Sequence, residues 1–125
     1  MKITKQNIHL LISIVIVIPA ALIYGFNPDQ FLEINPGTYD ELNFFKAIMM
    51  LYLGFSFIWV LGLFRPNYLK IALVTNCVFM LCLASGRILS IILDGIPSFL
   101  YVYGIIGELI LGVYGLWIIT RNPLK

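Results

Sequence analysis

Apolar residues fall into four blocks along the chain, over residues 8–26, 42–64, 69–93 and 99–120. Each block is near the roughly 20 residues that a helix needs to cross a bilayer core. Barrel strands alternate polar and apolar positions, whereas these blocks are apolar all round, so helices are predicted. The polar positions collect between the blocks. Asn27–Glu41 reads NPDQFLEINPGTYDE, and its two prolines, glycine and four carboxylates predict a solvated loop. Within it Thr38 and Glu41 have capping-box spacing, which starts the second helix near Tyr39. Arg65-Pro66-Asn67 separates the second and third spans, because proline has no N–H to give a helix. Asp94-Gly95-Ile96-Pro97 does the same between the third and fourth. There Gly95 suits a C′ position and Pro97 a first helical position.

Composition agrees with that pattern, and charge adds a direction to it. Of 125 residues 61% are hydrophobic and 11% charged, too little charge for the polar skin of a soluble domain. Lipid is therefore the expected main solvent. A net charge of +2, thinly spread, excludes a nucleic-acid partner from the expectations. Six cations form three pairs: Lys2 with Lys5, Arg65 with Lys70, and Arg121 with Lys125. The 27–41 loop and the Asp94–Pro97 turn carry none. By the positive-inside rule both termini and the middle link are cytoplasmic and the other two loops face outward.

The expected architecture is an all-α membrane protein, a four-transmembrane-helix up-down bundle. It forms a single integral membrane domain over residues 1–125, multi-pass in the cell (inner) membrane. Met1–Lys5 with an apolar run and Pro19-Ala20-Ala21 imitates a cleaved signal peptide. The run continues to Phe26 and three more spans follow, which argues for a retained first helix.

Lys46, Arg87 and Glu108 stand inside the spans, and Asp94 at the outer end of the third. Each mid-span charge costs about 2.5–3.5 kcal/mol on insertion scales, so partners are expected. At a 1.5 Å rise, Lys46 lies about 10 Å along its helix from Tyr39, and Arg87 about 10 Å below Asp94. Glu108 lies roughly 15 Å past Pro97, and the short turn makes the third and fourth helices antiparallel neighbours. Arg87 should then stand level with residues 104–108, within reach of Glu108.

At 100° per residue Asn76, Leu83, Arg87, Ser90 and Asp94 share one face of the third helix, within about 60°. Tyr101, Gly104, Glu108, Gly112 and Gly115 share one face of the fourth, where glycines permit close approach. On the second helix the Lys46 face continues through Met50, Leu53 and Phe57. Together these faces predict an outward-opening polar pocket lined by the second, third and fourth spans. Its candidate ligand-binding residues are Lys46, Arg87, Ser90, Asp94, Tyr101 and Glu108. A second reading stays open, in which Arg87–Glu108 and Lys46–Asp94 are structural ion pairs that fix helix register.

The remaining chemistry is sparse. Cys77 and Cys82 point about 140° apart on one helix and match no redox motif, so they read as packing thiols. His9, the single histidine, reads as an interfacial residue at the cytoplasmic end of the first helix. Alone it makes no bis-histidine haem site or multi-histidine metal site. Tyr24, Trp59, Tyr68, Tyr101, Tyr103 and Trp117 read as interface anchors. Met49, Met50 and Met80 read as packing. No nucleophile elbow, P-loop or dinucleotide fingerprint occurs, so no catalytic residue, metal or cofactor is expected.

Gly86-Arg87-x-x-Ser90-x-x-x-Asp94-Gly95-x-Pro97, followed by an in-span Glu108, resembles a family of small four-helix bacterial membrane proteins. That family is known mainly as a domain of unknown function and is grouped with the DoxX-like membrane proteins. The resemblance covers nearly the whole chain. It implies the four-helix bundle and marks Arg87, Asp94 and Glu108 as family-like positions, and it brings no established reaction. Some DoxX-like relatives accompany quinol or thiol oxidation, for which this sequence supplies no paired cysteines or haem ligands.

Three functions follow as expectations. The first is a non-enzymatic pocket for a lipid head group or small amphiphile. The second is an accessory subunit, with a membrane-protein partner or a second copy of the chain. The third, with least support in the residues, is an enzyme acting on a lipid or quinone.

Overall fold

The computed structural model describes residues 1–31 and 34–121, so Lys125 of the C-terminal cation pair lies outside the described residues. The elements are α1 (Ile8–Phe26), a one-turn α2 (Pro28–Phe31), α3 (Tyr39–Phe64), α4 (Leu69–Asp94) and α5 (Phe99–Arg121). A 3-10 turn at Pro66–Tyr68 joins α3 to α4. Four of the helices, α1, α3, α4 and α5, are long and apolar enough to cross a membrane. With 26 residues each, α3 and α4 run about 39 Å at 1.5 Å per residue, beyond the roughly 30 Å of a hydrocarbon core.

The helix ends follow the polar punctuation. Thr38 caps α3 by accepting from the Glu41 N–H at 3.1 Å, and Glu41 reaches back to the Gly37 N–H at 2.9 Å. The helix therefore starts at Tyr39, three residues ahead of the apolar block, because a polar first turn with Asp40 and Glu41 suits its N-terminus. At the far end of α4, Gly95 takes φ +114, a region only glycine enters readily. One expectation needs correction here. Pro97 is not a first helical position, since α5 begins at Phe99 and the Ser98 carbonyl accepts from the Tyr101 N–H at 3.1 Å.

The helices run up and down, leaving two ends. The terminal end carries residues 1–7, the Arg65–Tyr68 link and Arg121, and the loop end carries residues 27–31, 34–38 and the Gly95–Ser98 turn. In space α1 lies along α3, α3 on α4 and α4 along α5, while α1 touches α5 and α4 only sparsely. A seam is thus left between the first and last spans. It is closed at the terminal end, where His9 meets Tyr114 edge-on at 5.2 Å and the Tyr114 hydroxyl donates to the Lys5 carbonyl.

Unlike a soluble bundle, this one is apolar outside as well as inside, and a few polar side chains are buried in its core. Val15, Phe57, Val78, Ile92, Leu93 and Ile110 are exposed, whereas Ser13, Ser56, Asn76 and His9 are buried. An outer surface of large apolar side chains fits lipid, where helices associate through small and polar residues. Close approaches occur where glycine allows them. A Cβ on Gly62 would collide with Ala72 at the α3–α4 contact, and one on Gly112 would stand 2.6 Å from Leu81 Cδ2. His9, at the terminal end of α1, is 1% exposed, its ring packed where Gly115 leaves room.

Candidate functional site

The third and fourth spans meet near the loop end through Arg87 and Glu108, as their depths predict. Arg87 Nε donates to Glu108 Oε1 at 3.0 Å and to Oε2 at 3.1 Å. This is the one ion pair among the described residues, with side chains 21% and 12% exposed. Charge-assisted bonds of this kind are stronger than neutral ones, more so in apolar surroundings. Arg87 Nη2 makes a long donation of 3.5 Å to the Tyr24 hydroxyl on α1. Its Cζ stands 5.7 Å from the centre of the Tyr101 ring on α5, within cation–π range.

A cleft of about 670 Å³ opens in front of this pair. One wall is α1, from Val15 through Pro19 to Tyr24, and the other is α5, from Leu100 to Leu111. Tyr52 of α3 and Met80, Leu83 and Arg87 of α4 close the back. Gly104 and Gly107 widen the α5 wall, since a Cβ at either would meet nothing within 4 Å. Pro19, in the other wall, has no N–H to offer the Val15 carbonyl one turn earlier. Among the described residues Arg87 and Glu108 are the only charged ones in the lining.

An aromatic ladder supports the back of the cleft. The Tyr24 and Tyr52 rings stand edge to face at 5.6 Å, Tyr52 and Phe79 at 5.0 Å, and Phe79 and Trp59 at 5.1 Å. Such contacts hold the two phenols beside Arg87 more firmly than single rotamers would. Trp59, expected to anchor at an interface, is instead fully buried.

Of the candidate residues, the structure brings Arg87, Tyr101 and Glu108 together and leaves Lys46, Ser90 and Asp94 apart. Ser90 donates to Asp94 at 2.9 Å, and both are exposed at the loop end of α4. Lys46 is exposed on α3 and lines no part of the cleft, so the Lys46–Asp94 pair does not form. The inward face of α3 is Met49, Tyr52, Ser56 and Trp59, and the face of Lys46, Met50 and Phe57 looks out. The reason is physical: in lipid the outer face is as apolar as the core, so hydropathy does not phase the helix. The pocket is accordingly lined by α1 and α5 with α3 and α4 behind them, not by the second, third and fourth spans alone.

Tyr24 and Tyr52 are the site residues that sequence reasoning missed. Tyr52 carried a usable signal, being a phenol in mid-span, where a hydroxyl needs company. Among the described residues no three His, Cys, Asp or Glu side chains converge in a metal-binding arrangement.

Four apolar helices with one ion pair behind a lateral cleft define a small multi-pass membrane protein. The chain belongs to the family described as a domain of unknown function, DUF4345, whose pattern matches residues 5–119. No curated protein and no solved structure matches the chain.

Proposed function

We propose that this protein is a non-enzymatic binder of a membrane amphiphile, held in the cleft between α1 and α5. The polar head sits against Arg87, Glu108 and Tyr101, with Tyr24 and Tyr52 beside it, and the tail lies between the apolar helix walls. The observation that supports it is a polar pair at the back of an otherwise apolar cleft. Its volume of about 670 Å³ lies within the range of small-molecule sites, about 300–1,000 Å³. The mouth is flanked by exposed apolar side chains such as Ile16 and Leu100, so a lipid tail meets continuous apolar surface on the way in.

Lys46, Ser90 and Asp94 stay outside this reading of the site. The loop end faces outward in the cell membrane on this reading, on the strength of the three cation pairs in the sequence. The wider DoxX-like grouping also belongs to it, resting on the Gly86–Pro97 pattern.

Purification in native lipid followed by mass spectrometry of bound small molecules tests the proposal. Arg87→Leu should lose the co-purifying species while still inserting, and unchanged occupancy in that variant sinks the idea.

One observation favours a second reading, an accessory subunit of a larger assembly. Lys46 is exposed on an apolar helix whose Gly54 has nothing within 4 Å of a built Cβ, a place where another helix fits closely. Mild-detergent purification would then bring down a stoichiometric partner that Lys46→Leu releases.

A further inference from the structure

Resting on the amphiphile reading above, we infer that the head group taken by the cleft is uncharged and carries hydrogen-bond acceptors, such as an ester, amide or ketone carbonyl. The donors come first. A guanidinium has five N–H groups. Arg87 commits Nε to both Glu108 oxygens and one Nη2 hydrogen to Tyr24. Because Glu108 takes the Nε edge rather than the two-nitrogen end, Nη1 is left without a hydrogen bond among the described residues. Tyr52 lines the same cleft, and its hydroxyl likewise has no hydrogen bond among the described residues. A head rich in acceptors matches these donors.

Charge then selects among such heads. Arg87 and Glu108 sum to zero, and among the described residues no other charged one lines the cleft. Lys46, the cation that would have compensated an anionic head, faces outward on α3. A phosphate or carboxylate on Nη1 would share one guanidinium with the Glu108 carboxylate in an apolar setting. Repulsion there is screened far less than in water. A cationic head would meet Arg87 with the same penalty reversed. An uncharged carbonyl takes the open donors without either cost. Glu108 is thus the specificity residue: it occupies one edge of Arg87 and cancels the charge that would draw anions.

The test compares two probes with the same tail, monoolein (an uncharged ester) and oleyl sulfate (a fixed anion). Both are offered to the full chain in phosphatidylcholine nanodiscs, and retention is read by native mass spectrometry. The wild type should retain monoolein at least about tenfold over oleyl sulfate, a difference of about 1.4 kcal/mol. Glu108→Gln should reverse that order, because it leaves Arg87 uncompensated. Gly104→Phe, which fills the cleft, should lose both probes, with Gly107→Phe as the alternative if the first variant does not insert. Equal or greater retention of oleyl sulfate by the wild type overturns the uncharged-head inference, while its loss in Gly104→Phe would leave the cleft reading standing. Retention of neither probe by the wild type, or retention that both cleft-filling variants leave unchanged, overturns the cleft reading and this inference with it.

Discussion

Arg87 and Glu108 are each tolerable in an apolar bundle because the other is there. Removing one partner leaves an uncompensated, half-buried charge, so Arg87→Leu and Glu108→Leu should each destabilise, by less than the about 3–5 kcal/mol of a fully buried pair. The double replacement should recover most of that loss, and thermal unfolding of all four proteins in one detergent measures the coupling. Near-complete recovery of stability alongside lost amphiphile binding separates a working pair from a register device. Asn76 behaves differently, since both side-chain amide atoms are buried without a hydrogen-bond partner among the described residues. Leaving a buried polar group unsatisfied costs about 1–3 kcal/mol, so Asn76→Leu should raise the unfolding midpoint. The Arg87–Glu108 pair was legible in the sequence because depth along two antiparallel helices follows from turn positions alone. Lys46 was misread because depth says nothing of azimuth, and a lone cation near a span end reaches polar surroundings without a protein partner.

At the scale of elements, punctuation was more legible than packing. Thr38 with Glu41, and Gly95 after Asp94, marked the ends of α3 and α4 to within a residue, because caps and left-handed glycines have local causes. Gly95→Ala should cost about 1–3 kcal/mol, because φ +114 with ψ 178 is nearly closed to residues with a Cβ. Gly62 and Gly54 make a matched pair on α3. A methyl at Gly62 meets Ala72, and one at Gly54 meets open space. Gly62→Ala should therefore destabilise by about 1–3 kcal/mol. Gly54→Ala should be close to neutral in the monomer, read by the same unfolding assay. Neither difference was visible beforehand: both glycines sit in an evenly apolar run, and only the neighbouring helix distinguishes them.

For the whole molecule, hydropathy defined four spans, and their order in space needed the structure. Short links made neighbours of α3 with α4 and of α4 with α5, and left the fit of α1 open. That is why Tyr24 and the α1 wall of the cleft escaped notice while Glu108 did not. The side of the membrane is a prediction of the cation pairs, and labelling checks it. In a Cys77→Ala, Cys82→Ala background, a membrane-impermeant maleimide added to whole cells should modify Gly37→Cys and spare Asn67→Cys. The opposite pattern would invert the topology.

The seam between α1 and α5 has a thermodynamic consequence for any occupant. A molecule that slips in sideways never leaves the bilayer, so its chemical potential is fixed by its mole fraction among the lipids. Occupancy should then hold steady when proteoliposomes are diluted in buffer and fall when blank lipid is fused into them.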